Sequence, residues 1–140
     1  MIQNRSVLIV ADNSGAKLVQ CIRLYKSKKA AAGSLILVAI KEIKSQSKIK
    51  KGELYKGVIV RLVSKISRSN GNYIRASENA VVLLNTKSEF FGTRLNGPIT
   101  NELRKKKTFK NVIVNNLYSL KMYESIEIVG SQYYKERFGL

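Results

Sequence analysis

The sequence contains no histidine and no tryptophan, and it has one cysteine and one proline among 140 residues. Histidine is the side chain that most often serves as a general base or as a metal ligand, so a histidine-based catalytic triad is excluded. Cys21 therefore has no histidine partner, and it stands in an alternating strand pattern. We predict that Cys21 is a small core residue and not a nucleophile. A single cysteine cannot form an intrachain disulfide, which favours a reducing compartment.

Acidic residues are also scarce, with 9 Asp and Glu against 26 Lys and Arg and a formal net charge of +17. The acids are scattered singly apart from Glu124 and Glu127, so the sequence offers little basis for a carboxylate dyad or a two-metal site. A phosphate-binding loop requires a Lys-Ser or Lys-Thr pair directly after its last glycine, and Gly52 is not followed by such a pair. We therefore expect no enzymatic activity, no cofactor and no metal.

Long hydrophobic runs are missing as well. The longest, residues 35–40, has six residues, whereas a membrane-spanning helix needs about 20. The first residues lead directly into a strand pattern, so we expect no signal peptide or transit helix. Since 44% of the residues are hydrophobic, we expect a folded scaffold that displays its positive charge. Such a charge favours a polyanionic partner, so we expect nucleic acid and neither a membrane nor a small-molecule substrate.

The apolar segments are short, rich in β-branched residues and separated by turns. We predict strands at residues 7–10, 18–25, 35–40, 58–63, 73–75 and 80–84. Asn70-Gly71 between apolar segments favours a type I′ hairpin. Because short turns and not crossover helices join these strands, we predict a mostly β fold, an antiparallel sheet curled into a small barrel.

Residues 41–61 form a strongly cationic stretch, with seven basic residues and two acidic ones. We interpret it as strand, basic arm, strand. Beyond residue 93 the spacing of the apolar residues no longer follows the two-residue period of a strand. Residues 98–103 have the pattern of a helix start, with Thr100 as the cap. Apolar residues at three- and four-residue spacing between 109 and 120 then predict helix packed on the barrel.

Basic residues in loops and on strand faces are the candidate RNA-binding residues, because lysine and arginine neutralise phosphates and release counterions. Arginine is of particular interest, since its guanidinium can bind phosphate bidentately or stack on a base. Tyr25, Tyr55 and Tyr73 offer stacking faces, although strand aromatics more often serve packing. The predicted RNA-binding residues are Lys17, Arg23, Lys28, Lys29, Lys44, Lys48, Lys50, Lys51, Arg61, Arg68, Arg75, Arg94, Arg104 and Lys105.

Several blocks of sequence resemble the universal ribosomal protein L-fourteen family of the large subunit. They are MIQ at the start, ADNSGA at 11–16, IKKGE at 49–53, GVIVR at 57–61, NG at 70–71, NAVVLLN at 79–85 and GTRLNGPITNEL at 92–103. The resemblance covers residues 1 to about 120. It implies a five-stranded barrel with a protruding basic β-hairpin and short C-terminal helices, seated on large-subunit rRNA as a structural constituent of the ribosome.

The resemblance also implies partners. They are large-subunit rRNA, small-subunit rRNA across the subunit interface, neighbouring large-subunit ribosomal proteins and a ribosome-silencing factor that docks near Thr100. The protein-interface residues it implies are Thr93, Thr100, Asn101 and Lys110. The family often has arginine where this chain has Asn101, and it usually has Ala-Pro-Glu where this chain has residues 115–120.

Residues 121–140 extend past the usual end of the family, so we predict one domain at 1–120 and a C-terminal extension at 121–140. The extension has three basic and three acidic residues, and this neutrality predicts a protein contact and not an RNA contact. Its composition suggests an organellar genome, so we expect the large ribosomal subunit in the mitochondrial matrix more than in a bacterial cytoplasm. The alternatives are a free basic barrel acting as an RNA chaperone or translation factor, and an RNA-modifying enzyme.

Overall fold

The computed structural model describes residues 1–100, 102–103 and 128–129 of the chain. Within them the strands are β1 (Val7–Val10), β2 (Ala16–Leu24), β3 (Leu35–Ile43), β4 (Leu54–Arg61), β5 (Ile66–Ser67), β6 (Tyr73–Ile74), β7 (Ala80–Leu84), β8 (Ile99–Thr100) and β9 (Ile128–Val129).

Five of these strands close into a barrel in the order β1-β2-β3-β4-β7. Four of the five pairings are antiparallel, and β7 returns to lie parallel to β1, with Ile9 opposite Ala80. The predicted mostly β barrel is confirmed. Closure pairs every strand on both sides, which removes the exposed edges through which sheets aggregate.

The barrel interior is filled by β-branched and leucine side chains that alternate with outward-facing residues along each strand. Val19, Val38 and Ile59 are fully shielded from solvent, and so is Cys21. The prediction that Cys21 is a buried core residue is therefore confirmed. Its burial raises the pKa of the Cys21 thiol, which favours the unreactive protonated form.

A second apolar cluster covers the outer side of β4 and β7. Leu95, Ile99 and Leu103 pack there against strand residues that point away from the barrel interior, such as Val58 and Val82. All five residues of β7 are consequently buried. This is why β7 is a continuous apolar run and not an alternating pattern.

The connection between β3 and β4 differs from the predicted protruding hairpin. The two strands do pair antiparallel, but residues 44–53 fold back on the barrel. The Lys44 amide donates to Gly15 O at 2.8 Å, and Ile49 is 1% exposed within the main core. Ile49 is the only hydrophobic residue of this loop, and its burial stabilises the folded-back form by about 1.5–3 kcal/mol.

A hairpin turn at Asn70-Gly71 is confirmed, but its predicted type I′ is wrong, because that type needs positive φ at both central residues and Asn70 does not have it. The turn joins β5 to β6, and Gly71 has a φ of +84°, a conformation that glycine adopts without steric cost. The prediction that residues 73–75 help to close the barrel is wrong. Tyr73–Ile74 pairs with β5 in a separate two-stranded sheet, and β7 alone closes the barrel.

The helix start predicted at residues 98–103 is not confirmed. Ile99–Thr100 forms β8, which pairs in parallel with β9, and residues 102–103 have 3₁₀ conformation. Ile99 and Leu103 are buried in the second apolar cluster. The helix predicted between 109 and 120 and the rest of the extension lie outside the described residues. In the described part of the chain, no helix is long and apolar enough to span a membrane.

Candidate RNA-binding surface

Ten of the predicted RNA-binding residues are exposed on the folded chain. They are Lys17, Arg23, Lys28, Lys29, Lys44, Lys48, Lys50, Lys51, Arg75 and Arg94. The described residues form two ion pairs, Arg61–Glu78 and Arg68–Glu102, and none of the ten takes part in either. A polyanion can therefore approach these side chains and displace the solvent ions around them.

One group of these cations gathers at the end of the barrel where β1 turns into β2. Ala16 at the start of β2 pairs with Ile43 at the end of β3, so Lys17 and Lys44 lie on neighbouring strand ends. The ideal Cβ position of Gly15 is 2.5 Å from Ser47 Cβ, so the β1–β2 turn presses directly on the β3–β4 loop. The loop lysines, Lys48, Lys50 and Lys51, thereby belong to the same end of the barrel.

Asn13 attaches a further exposed segment to this end. Its Oδ1 accepts hydrogen bonds from the amides of Thr93 at 2.8 Å and Arg94 at 3.2 Å, and its Nδ2 donates to Thr93 Oγ1 at 2.9 Å. Gly92 permits this approach, because a Cβ there would lie 2.8 Å from Asn13 Oδ1. The chain reversal at residues 92–94 is thus held rigidly, and Arg94 joins the lysines.

Asp12 secures the same turn from inside the protein. This buried carboxylate accepts hydrogen bonds from the amides of Ser14 at 3.0 Å and Leu83 at 3.1 Å, and also from the Ser14 hydroxyl. Burial raises the pKa of Asp12, although these hydrogen bonds and the charge of Lys44 act to lower it. Asp12 is therefore an anchor between the turn and β7.

A second group of cations lies at the opposite end of β2. Arg23 stands opposite Leu37 of β3, which in turn stands opposite Lys56 of β4, so two cations flank an apolar residue in one row. Lys28 and Lys29 follow in the exposed loop after β2. A nine-residue strand spans roughly 26 Å between its ends, and that is the approximate separation of the two groups.

The family model of ribosomal protein L14p/L23e matches residues 1–117. The chain belongs to this family. An L14p/L23e protein is a structural constituent of the large ribosomal subunit and not an enzyme. No cluster of metal-ligating side chains occurs among the residues that the structure describes.

Arg61 is the predicted RNA-binding residue that the fold of this L14p/L23e chain places least accessibly. It is 7% exposed, its Nη2 donates to Glu78 at 2.9 Å, and its Nη1 donates to Asn96 O at 2.7 Å. The guanidinium also lies against Gly97, where a Cβ would be 2.3 Å from Nη1. Arg61 joins β4 to the 96–98 segment, and we leave it out of the exposed surface.

Arg68 is also engaged within the protein. Its Nε donates to Glu102 Oε1 at 2.6 Å, and the two side chains are 22% and 24% exposed. Burial acts to raise the pKa of Glu102, but the hydrogen bond and charge of Arg68 outweigh it and lower the pKa overall. Arg68 therefore fixes the β5–β6 hairpin to the 3₁₀ turn.

The two predicted protein-interface residues that the structure describes differ in exposure. Thr93 is exposed at the Asn13 contact, whereas Thr100 is buried, with 7% of its surface exposed. Asn101 and Lys110, together with the predicted RNA-binding residues Arg104 and Lys105, lie outside the described residues.

Tyr55 serves packing, as strand aromatics more often do, since its hydroxyl donates to Glu53 at 2.8 Å and its ring meets Phe91 edge-on at 5.6 Å. The hydrogen bonds of Asn13 were not predicted, because they depend on a segment 80 residues away. The ADNSGA block itself was the only available signal.

Proposed function

We propose that this L14p/L23e protein holds large-subunit rRNA through the two groups of exposed cations at the ends of β2. The observation that carries the proposal is that the basic residues of both groups are exposed and have no ion-pair partner among the described residues. Phosphates that replace their counterions release those ions to solvent, and this release favours binding at low salt.

The rigidity of the barrel supports this proposal. The β1–β2 turn, the β3–β4 loop and the 92–94 segment are tied together by backbone and Asn13 hydrogen bonds. Their cations are therefore held at set spacings before RNA arrives, which reduces the entropic cost of binding. A disordered basic tail with the same charge would lack this advantage.

We assign the interface role to the end that carries Thr93 and Arg94. In this proposal it contacts small-subunit rRNA across the subunit interface, and other faces of the barrel meet neighbouring large-subunit proteins. Docking of a ribosome-silencing factor beside Thr100 stays a prediction. Because the Thr100 side chain is buried, such a factor would contact its exposed neighbours, such as Asn96 and Gly97.

We further propose a mitochondrial location for the subunit that contains this protein, from the composition of residues 121–140. Affinity-tagged protein should co-purify one-to-one with mitochondrial large subunits. Recovery with bacterial-type cytoplasmic subunits alone would contradict the location without touching the RNA-binding proposal.

Sedimentation tests the function itself. Tagged full-length protein should sediment with large subunits in a sucrose gradient under conditions that keep ribosomes intact, and it should stay bound after a moderate salt wash. Protein that sediments free of subunits would overturn the proposal. Substoichiometric, cycling association would favour the RNA chaperone or translation factor instead.

A further inference from the structure

A groove next to the end of β2 has features that general phosphate binding does not explain. It is lined by Gln3, Asn4, Arg23, Leu24, Ser27 and Lys28 and has a volume of about 570 Å³. This volume lies within the range of sites that hold one small ligand. A smaller cavity of about 120 Å³, which shares Leu24 and Ser27 with the groove, continues towards Tyr25.

The walls of the groove are fixed by backbone contacts. Ile2 and Ala30 exchange two hydrogen bonds, at 3.0 Å and 2.8 Å, which hold the first residues of the chain beside the loop after β2. Arg5 then has a φ of +70°, and its amide donates to Cys21 O at 2.7 Å. A non-glycine residue in this conformation persists only where its surroundings impose it. The turn therefore presents Gln3 and Asn4 to the groove in one arrangement.

Arg23 provides a planar cation on one wall. Its Cζ lies 6.0 Å from the centre of the Tyr25 ring, within the range of a cation–π contact. This contact places the guanidinium next to the ring. A guanidinium plane offers a stacking surface for an unpaired base, and it carries the charge that a neighbouring phosphate requires.

The remaining groups suit the other parts of a nucleotide. In the part of the chain that the structure describes, the side-chain amides of Gln3 and Asn4 have no hydrogen-bond partner, so their donors and acceptors are free for the edge of a base. Lys28 supplies a second positive charge. The sequence from residue 13 to residue 41 contains six basic residues and no acidic one, so nothing local competes with a phosphate.

We propose that this groove binds one unpaired nucleotide of RNA, with its base stacked on Arg23 and its phosphate next to Lys28. The inference rests on the proposed RNA-binding function and deepens it. The lysines at the other end of β2 contact the backbone without regard to pairing, whereas this groove selects a base that has left the helix.

Binding of the full-length protein to matched RNA hairpins tests the groove. One hairpin has a fully paired stem, and four others carry a single bulged A, C, G or U in that stem. Fluorescence anisotropy should show tighter binding to at least one bulged stem, by about fivefold or more, the smallest effect expected of one stacked base. A bulged 2-aminopurine should change its fluorescence when the protein binds.

Arg23→Lys keeps the positive charge but replaces the planar guanidinium with an ammonium group, on which a base cannot stack. It should abolish most of the preference for the bulge while leaving the dissociation constant for the paired stem within about twofold. Tyr25→Leu should weaken the preference in the same direction. Tyr73→Leu is the matched control, because Tyr73 also lies 6.0 Å from a cation, Lys65 Nζ, but lines no part of this groove.

The outcomes separate the two proposals. Failure of the wild-type protein to bind any of the hairpins would overturn RNA binding and the groove together. Equal binding to paired and bulged stems would overturn the groove alone, and so would an Arg23→Lys variant that keeps the full preference. A loss of preference in Tyr73→Leu equal to that in Tyr25→Leu would also count against the groove.

Discussion

Asn13 binds Thr93 through both atoms of its side-chain amide, although 80 positions separate the two residues in the chain. Its Oδ1 accepts from Thr93 N at 2.8 Å, and its Nδ2 donates to Thr93 Oγ1 at 2.9 Å. This pair closes the β1–β2 turn onto the exposed segment that carries Arg94. It therefore connects the stability of the barrel to the geometry of the proposed RNA-binding surface.

Replacement of this amide should destabilise the protein. Asn13→Ala removes three hydrogen bonds to residues 93–94, and we expect the free energy of unfolding to fall by about 1–3 kcal/mol. Urea denaturation measures the change. Asn72→Ala is the control, because the Asn72 side chain is exposed and has no hydrogen-bond partner among the described residues; it should change stability by less than about 0.5 kcal/mol. Equal effects would contradict the role of Asn13.

Charge reversal in the β3–β4 loop should weaken RNA binding without unfolding the barrel. Lys48, Lys50 and Lys51 are exposed, so glutamate at all three positions alters the surface and leaves the core intact. The slope of log affinity against log salt should fall by about 0.7–0.9 for each phosphate that the variant no longer neutralises. Subunit assembly and a melting curve are measured in parallel.

The control for the charge reversal replaces Lys65 and Lys87 with glutamate, since both are exposed and lie outside the proposed surface. We expect a smaller decrease in affinity from this control than from the loop variant. Normal assembly of the loop variant, together with an unchanged melting curve, would refute a contact role for the loop.

The buried carboxylate of Asp12 should make stability depend on pH. Burial raises its pKa above the ordinary value of 3.8, so the folded protein holds a proton there more tightly than the unfolded chain does. The contribution of Asp12 to the free energy of unfolding therefore falls as pH rises from 3.8 through the folded pKa. Asp12→Asn lacks this titration.

The quantity of interest is the free energy of unfolding of the wild type minus that of Asp12→Asn. We expect it to be more positive near pH 4 than near pH 7, because only the wild type has the titrating carboxyl group. Urea denaturation at the two pH values and constant ionic strength measures it. Subtraction of the variant cancels the titration of the other carboxylates. A difference that grows towards neutral pH would show that the folded pKa of Asp12 is lowered instead.

Gly57 marks a tight approach between β4 and β7. A Cβ at this position would lie 2.7 Å from Val81 Cγ2 and 3.3 Å from Val82 O. Gly57→Ala should therefore lower the free energy of unfolding by about 1–3 kcal/mol through overpacking. Combining it with Val81→Ala removes the nearer contact, so the double variant should be more stable than the sum of the single effects predicts. Strict additivity would contradict a steric origin.

Several elements could be predicted from local sequence because their causes are local. The Asn70-Gly71 turn follows from the backbone freedom of glycine, and the strand at residues 7–10 follows from a short β-branched run. The packing of Ile99 and Leu103 against the outer side of β4 and β7 has a non-local cause, because those strands lie far away in the chain. A pattern within six residues carries no information about that surface.

The residues of the candidate surface also divide into those with local causes and those with non-local causes. Exposure of the loop lysines was predictable, because an isolated lysine rarely finds a buried partner. Arg61 was predicted as an RNA contact because a guanidinium can bind phosphate bidentately, yet Glu78 and the carbonyl of Asn96 occupy its guanidinium. Ile49 shows the converse, since this single apolar residue of a basic loop is buried in the core.

The amino-acid sequence by itself determined the excess of positive charge, the absence of histidine chemistry, the β-rich composition and the blocks that place the chain in the L14p/L23e family. These properties depend only on which residues are present and in what order. The tertiary structure decided which cations remain free, that the β3–β4 loop lies against the barrel, and that Asn13 meets Thr93. Burial and pairing require segments distant in the chain to come together, and only the folded barrel brings them together.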